Sequence, residues 1–236
     1  MLSTMSPFTC VKSRLAALAA VFLCSATFAA DKPDARELLK QARAAQSNVD
    51  AKFSGHFRIG ASSKKTPFIL SVSNGVIRYE FQDNKDTITL RLGEKDSRLE
   101  QTLGGKPERV TSGKFDDPVR GTTITYEDLS MRFLYWPNAK VVDDAAILVQ
   151  DSWEVEIRPP AGTVTQYSKV NAWFSKADNA MMKMEAYDAA GNVVRRFTAR
   201  SAMKRDGNYY LKTMEIVGPD GKLRNATHLE LDDLLK

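Results

Sequence analysis

The chain has 236 residues, 43% of them hydrophobic and 27% charged, with 34 lysine and arginine residues against 29 aspartate and glutamate residues. This near balance, with basic pairs scattered among strand patterns, argues against a nucleic-acid-binding protein. We therefore predict no nucleic-acid partner.

Residues 1–29 have the pattern of a cleaved secretory signal peptide. Lys12 and Arg14 precede nine apolar residues, Leu15–Leu23, which are too few to span a bilayer, and Thr27-Phe28-Ala29 is a small-x-small cleavage site. We predict cleavage after Ala29, because cleavage after Ala30 would place bulky Phe28 three residues before the cut. The mature chain, residues 30–236, is then expected to form one domain.

Both cysteines of the sequence, Cys10 and Cys24, fall inside the predicted signal peptide. The mature chain would then contain no disulfide, no thiol nucleophile and no zinc–thiolate site. Lipidation of Cys24 is the alternative, but a lipidation signal has a small residue before the cysteine, where this sequence has Leu23.

Pro33–Gln46 is the first predicted helix. Five apolar residues at helical spacing share one face, and two acidic residues, Asp34 and Glu37, lie in the first turn, where negative charge is favourable. The apolar residues are Ala35, Leu38, Leu39, Ala42 and Ala45.

From Phe53 onward the apolar residues alternate with polar ones, which is typical of β-strands. Asn74-Gly75 is the strongest hairpin signal, since this pair readily takes the positive φ angles of a type I′ turn. Further turns are predicted at Asp83–Asp86, Gly104-Gly105, Asp188–Asn192 and 218–221, and we count ten or eleven strands.

A second helix is predicted at Thr125–Pro137, within the train of strands. Four large apolar residues recur at intervals of three and four; Thr125 can cap the helix, Asp128 can complete a capping box, and Pro137 would end it. The four are Tyr126, Leu129, Phe133 and Trp136. Such an aromatic face either covers a cavity or packs as ordinary core.

Many strands with two helices predict a mainly β, α+β fold: a strongly curved antiparallel sheet forming an incomplete β-barrel, covered by two or more helices. The concave face of such a sheet must be filled by side chains, a ligand or a covering segment. If the helices do not fill it, an apolar cavity remains for an apolar guest.

Four segments of the chain follow one another in a recognisable order: the YEDL helix at Tyr126–Leu129, Trp153-Glu-Val-Glu-Ile, Tyr167-Ser-Lys-Val-Asn-Ala-Trp173 and Met184-Glu-Ala-Tyr-Asp188-Ala-Ala-Gly191. In these segments and in its order of elements, the chain resembles the LolA-like outer-membrane lipoprotein-sorting proteins. The resemblance implies a half-barrel with a helical lid over an apolar cavity, in a Gram-negative periplasm. It also implies acyl chains of lipoproteins as cargo, with a membrane-protein donor and acceptor as partners.

Family members hold the lid closed with an arginine on an early strand, and Arg78 is the nearest candidate by position. The residues next to Arg78 match that pattern poorly. Alternation along the strand places Arg78 on the face away from the apolar residues Ile77, Tyr79 and Phe81, so the alternative is that Arg78 is a solvated strand residue. The residues that we predict to line the cavity or lid are Phe68, Leu70, Ile77, Tyr79, Phe81, Leu90, Leu129, Phe133, Leu134 and Trp136.

We expect no enzymatic activity, no cofactor and no metal. The histidines, His56 and His228, lie on alternating strands without a nucleophile at recognised spacing, and Ser62-x-x-Lys65 and Ser201-x-x-Lys204 lack the companion motifs of SxxK enzymes. Two functions stay open: a carrier of an acyl chain or another apolar group, and a non-catalytic interaction or sensing module built on the same half-barrel.

Overall fold

The computed structural model describes residues 32–47, 49–205 and 207–235. The predicted signal peptide, the cleavage sites and Cys24 therefore lie outside the described residues. Within the described part, no helix is long and apolar enough to cross a membrane.

Helix α1, Ala35–Ser47, forms as the apolar spacing predicts. Its first turn is capped by Asp34, whose side chain accepts a hydrogen bond from the backbone N–H of Glu37 at 2.9 Å. Leu38, Leu39 and Ala42 are buried, which confirms the predicted inner face.

Thirteen antiparallel strands form a single curved, unclosed sheet. They are β1 Ala51–Ile59, β2 Lys65–Ser73, β3 Val76–Phe81, β4 Thr87–Leu92, β5 Ser97–Thr102, β6 Pro107–Arg109, β7 Asn138–Ile147, β8 Gln150–Arg158, β9 Lys169–Ser175, β10 Met181–Tyr187, β11 Val193–Arg205, β12 Asn208–Val217 and β13 Thr227–Leu235. Asn74 and Gly75 both have positive φ, 50° and 73°, as the hairpin signal predicts.

The strand order is β6-β5-β4-β3-β2-β1-β13-β12-β11-β10-β9-β8-β7. Two meanders of consecutive strands, β1–β6 and β7–β13, are joined by the pairing of β1 with β13, from Lys52↔Leu235 to Ile59↔Thr227. The two outermost strands, β6 and β7, are neighbours in sequence.

The predicted number of strands, ten or eleven, is too low. The additional strands include β7, whose side chains are mostly exposed or half-buried because it lies at the edge of the sheet, so no clear alternation of apolar residues marks it. β6 has only three residues, all of them exposed. Alternation of burial is the signal that sequence reasoning uses, and edge strands weaken it.

Aromatic side chains fill the part of the concave face nearest β1, β2 and β3. The Phe57 and Phe68 ring centroids are 4.8 Å apart, the Phe68 and Tyr79 centroids are 5.2 Å apart, and Phe81 packs against both phenylalanines. This end of the half-barrel is therefore a packed core.

The chain between β6 and β7 must pass from one edge of the sheet to the other. It contains a 3₁₀ turn at Ser112–Lys114, helix α2 at Tyr126–Ser130 and a second 3₁₀ turn at Arg132–Tyr135; a third 3₁₀ turn, Leu223–Asn225, precedes β13. We call Thr125–Pro137 the cover segment. Because it ends where β7 begins, its position is coupled to the edge of the sheet.

Candidate functional site

The cover segment begins with the capping box that its sequence predicts. The side chain of Thr125 accepts a hydrogen bond from the backbone N–H of Asp128, and the carboxylate of Asp128 accepts one from the backbone N–H of Thr125 at 2.8 Å. The predicted continuous helix to Pro137 is wrong, however. Met131 has the left-handed φ of 49°, which ends α2 after five residues, and the chain continues as a 3₁₀ turn.

Asp128 anchors the start of the cover segment to the β7–β13 half of the sheet. Its carboxylate is fully buried and accepts hydrogen bonds from Arg195 Nε on β11, at 3.1 Å, and from the Tyr167 hydroxyl. Burial, with Asp128 beside it, raises the pKa of Tyr167 well above its ordinary value, so the phenol remains a donor. Thr125 donates two further hydrogen bonds to this carboxylate, from its backbone N–H and from its hydroxyl. The buried charge of Asp128 therefore has four donors, which offset the cost of its burial.

Helix α1 binds the other end of the cover segment through arginines. Arg43 donates to the carbonyl oxygen of Leu134 and lies over the ring of Tyr135, 4.6 Å from its centroid. Arg36 Nε donates to the carbonyl oxygen of Pro137 at 3.1 Å. Because this end is extended or 3₁₀, its carbonyl groups are free to accept these bonds.

Three adjoining cavities follow the cover segment. The first, of about 300 Å³, lies between β5, the chain after β6 and Arg132. The second, also about 300 Å³, lies between α1 and the end of the cover segment and is lined by Leu39, Leu134 and Trp136 among others. The third, about 230 Å³, lies next to both, because it shares Arg132 with the first and Trp136 with the second. Together they form a groove beneath and beside the cover segment, which we call the cover groove.

The structure places most of the predicted cavity residues in the core. Phe68, Phe81, Leu90 and Phe133 are at most 3% exposed and line none of the three cavities. Leu70 is buried as well, and Ile77, Tyr79 and Leu129 are partly buried against the same core. Leu134 and Trp136 are the two predicted residues that line the cover groove.

Arg78 does not hold the cover segment. Its side chain is 48% exposed and pairs with Glu80 at 3.6 Å, on the face of β3 away from Ile77 and Tyr79. Alternation along the strand explains this position, since Phe81 and its aromatic partners occupy the inner face. Among the described residues outside the cover segment, the arginines that donate hydrogen bonds to it are Arg36 and Arg43 on α1 and Arg195 on β11.

A second ion pair lies at the turn of the cover segment. Glu127 is 3% exposed and pairs with Arg132, which also donates to the carbonyl oxygen of Val164 at 3.0 Å and lies 4.0 Å above the Phe115 ring. Burial raises the pKa of Glu127, and the nearby positive charge of Arg132 opposes this. The Nε atom of Arg132 is buried and has no hydrogen-bond partner in the described residues.

Sequence reasoning missed the polar half of this site. Arg195 and Arg43 are 67 and 91 residues from the partners that they contact, and their only local signal is charge on a strand or helix. Arg132 is only five residues from Glu127, but it follows the break at Met131, which the helical spacing does not predict. His56, which has no catalytic partner in sequence, lies between Asp232 and Glu230, at 3.1 and 3.4 Å. Within the described ranges, no group of three His, Cys, Asp or Glu side chains has the arrangement of a metal site.

Several solved structures have the same fold as this chain. A candidate outer-membrane lipoprotein-sorting protein domain from Vibrio parahaemolyticus has a TM-score of 0.66 at 18% identity, over 85% of this chain and 91% of that one. A DUF1329 family protein from Desulfovibrio piger has a TM-score of 0.65 at 14% identity, over 84% and 90%. A LolA superfamily protein from Nitrosomonas europaea has a TM-score of 0.59 at 12% identity, over 86% and 93%.

These similarities show a LolA-like fold, as the sequence resemblance predicts. No curated protein matches the chain. A family model described as "uncharacterized protein" matches residues 74–234, which is more than half of the sequence. The chain therefore belongs to that uncharacterized protein family and has the LolA-like fold.

Proposed function

We propose that this protein is a non-catalytic periplasmic carrier that binds an acyl chain or another apolar group in the cover groove. The observation that carries the proposal is the groove itself, whose second cavity lies between two elements that the sheet does not fix by strand pairing, α1 and the cover segment. The LolA-like fold and the signal-peptide pattern support this proposal.

The second cavity supplies the apolar wall that a chain would need. Three of the side chains that line it are buried apolar ones, those of Leu39, Leu134 and Trp136, and the half-buried Tyr135 lies beside them. Burial of each methylene group contributes about 0.8 kcal/mol, so several methylenes give useful affinity without a specific polar contact. The first two cavities, about 300 Å³ each, lie at the lower end of the ~300–1,000 Å³ range of ligand sites and the third, about 230 Å³, lies below it, so a long chain would have to occupy all three or displace the cover segment.

The contacts of the cover segment make such displacement local. At its α1 end the polar contacts are the bonds that Arg36 and Arg43 donate to its backbone carbonyl oxygens and the bond that Tyr135 donates to the carbonyl oxygen of Gly93. At its start it is held by the buried pair of Asp128 and Arg195. We infer that the α1 end moves and the Asp128 end stays, with a membrane-protein donor and acceptor as the exchange partners of the carrier.

Lipid extraction tests this function directly. Protein purified from the periplasm would be denatured and extracted with organic solvent, and the extract analysed by mass spectrometry for stoichiometric lipid. Binding of an apolar fluorescent probe, and its displacement by the extract, would be measured in parallel. Absence of both lipid and probe binding would refute the carrier and favour the interaction or sensing module.

A matched pair of tryptophan variants locates the binding site. Trp136→Ala removes a wall of the cover groove and should weaken probe binding at least about fivefold, the factor for ~1 kcal/mol of lost contact. Trp153→Ala removes a half-buried indole on β8, outside the three cavities, and should leave probe affinity unchanged. Cooperative unfolding of both variants is the control for folding, and equal effects would contradict the assignment.

A further inference from the structure

The cover groove changes chemical character along its length. Its α1 end has the apolar wall of Leu39, Leu134 and Trp136, whereas the end near β6 contains two arginines, Arg109 and Arg132. Both arginines line the first cavity and the third, so they stand at the junction of the two. A groove with an apolar end and a basic end matches an amphiphile better than a purely apolar guest.

The charged side chains that line the groove are mostly basic. Five are basic and two are acidic: Arg36, Arg43, Lys95, Arg109 and Arg132 against Glu94 and Asp96. Arg36 and Arg43 are engaged with carbonyl oxygens of the cover segment. Asp96 lies in the third cavity with both junction arginines but is within ion-pair distance of neither; among the described residues Arg109 therefore has no carboxylate partner, whereas Arg132 is paired with Glu127.

The two junction arginines have unused donors. Arg109 makes no side-chain hydrogen bond or ion pair with any described residue. It is exposed on β6, and the backbone of this strand is held by pairing with β5. Arg132 uses Nη2 for Glu127 and Val164, while its buried Nε has no partner. Stacking on Phe115 holds this guanidinium in place. A buried charged donor without an acceptor is costly, so an oxygen placed there would be strongly favoured.

Hydroxyl groups complete the polar end. Thr111 and Ser112 line the first cavity, and neither hydroxyl makes a hydrogen bond with a described residue. Two guanidinium groups with neighbouring hydroxyls are the donor set that proteins use for phosphate oxygens, since arginine presents paired N–H groups to them. Leu99, Val110 and Phe115 surround these donors with apolar surface, which strengthens the electrostatic attraction.

We propose that the cover groove binds an amphiphile with a phosphate headgroup, the phosphate lying between Arg109 and Arg132 and the chain running beneath the cover segment toward Trp136. This inference rests on the proposed carrier function and adds the class of ligand and its direction in the groove. It assigns Arg109 and Arg132 as headgroup-binding residues.

The test uses the mature protein and three probes measured by isothermal titration calorimetry: a monoacyl phosphate, the long-chain alcohol of equal chain length, and inorganic phosphate. We expect the wild-type protein to bind the monoacyl phosphate about tenfold or more tightly than the alcohol, with an affinity that falls as salt is added. Arg109→Gln should remove most of that preference and leave the affinity for the alcohol within about twofold. The matched control, Arg98→Gln, changes an exposed arginine of β5 that pairs with Glu100 outside the cavities, and should change neither affinity.

The outcomes separate this inference from the proposed function. Equal binding of both amphiphiles, unaffected by Arg109→Gln, would overturn the headgroup site and leave the carrier intact. Binding of inorganic phosphate alone, lost in Arg109→Gln, would identify a free anion as the ligand and overturn the amphiphile. Binding of no probe would overturn both proposals. Because Arg109 is exposed at the sheet edge, Arg109→Gln should fold normally, which thermal unfolding would confirm.

Discussion

Replacement of Arg195 by Gln tests whether the buried ion pair with Asp128 holds the cover segment in place. The Arg195 side chain is 8% exposed and that of Asp128 is fully buried. Removal of one partner of a buried pair costs about 3–5 kcal/mol, because it leaves the other charge uncompensated. Three donors to Asp128, two from Thr125 and one from Tyr167, would remain, so we expect a loss near the lower end, about 3 kcal/mol.

Arg200→Gln is the matched control for this change. Arg200 lies on the same strand, β11, and pairs with Glu215, but its side chain is 50% exposed. An exposed pair contributes about 0–1 kcal/mol, so this variant should lose far less. The comparison therefore holds the strand, the substitution and the type of partner constant and changes burial.

Urea unfolding followed by tryptophan fluorescence gives the free energy of unfolding of each variant, provided that the m-values agree. A loss of about 3 kcal/mol corresponds to a fall of roughly 6–12 °C in Tm for a protein of this size. The double variant Arg195→Gln with Asp128→Asn should lose less than the sum of the two single variants, because the two side chains interact directly. Losses for Arg195→Gln and Arg200→Gln that agree within about 0.5 kcal/mol would refute the reasoning.

Three further predictions concern the turn after β7, a glycine of β1 and the carboxyl of Glu127. Leu148 and Val149 have φ of 50° and 60°, which Val tolerates poorly, so replacement by Asn-Gly should raise the free energy of unfolding by about 1 kcal/mol in urea; a loss would contradict this. Gly55→Ala should cost about 1–3 kcal/mol, because the new Cβ would lie 2.6 Å from a carbonyl oxygen of β13, whereas Gly113→Ala meets nothing within 4 Å and should be neutral by the same measurement. The folded-state pKa of Glu127 is raised from its ordinary 4.5, so the folded protein binds the proton more tightly than the unfolded chain, and stability should decline as pH rises from 4.5 through the raised value. Glu127→Gln should lack this decline in Tm measured against pH, and parallel curves would contradict the prediction.

Local patterns in the sequence predict the local structure well. The apolar spacing of α1, the Asn74-Gly75 hairpin and the capping box of Thr125 are all present, because each depends on residues within one turn or one hairpin. The break at Met131 was not predicted. The side chains of Phe133, Leu134 and Trp136 are buried after the break, so packing with the sheet and α1 overrides the helical spacing of this segment.

The candidate site was harder to predict, because it depends on contacts between distant parts of the chain. Alternation identified Phe68, Leu70 and Phe81 as inward-facing, but it could not distinguish a packed core from a cavity wall. Arg195 reaches Asp128 across 67 residues, and no local pattern marks that pair. The basic end of the cover groove is formed by β6 and the cover segment together, so its charge becomes visible only in the fold.

The pairing of β1 with β13 has a consequence for how the protein folds. Every other strand pair joins strands that follow one another along the chain, whereas His56 on β1 and Asp232 on β13 are 176 residues apart. Contacts between distant residues form late, because the entropy of a long loop must be lost before they contribute. We therefore expect the two meanders to assemble first as separate, aggregation-prone halves with exposed strand edges, and β13 to join them in the slow final step of folding.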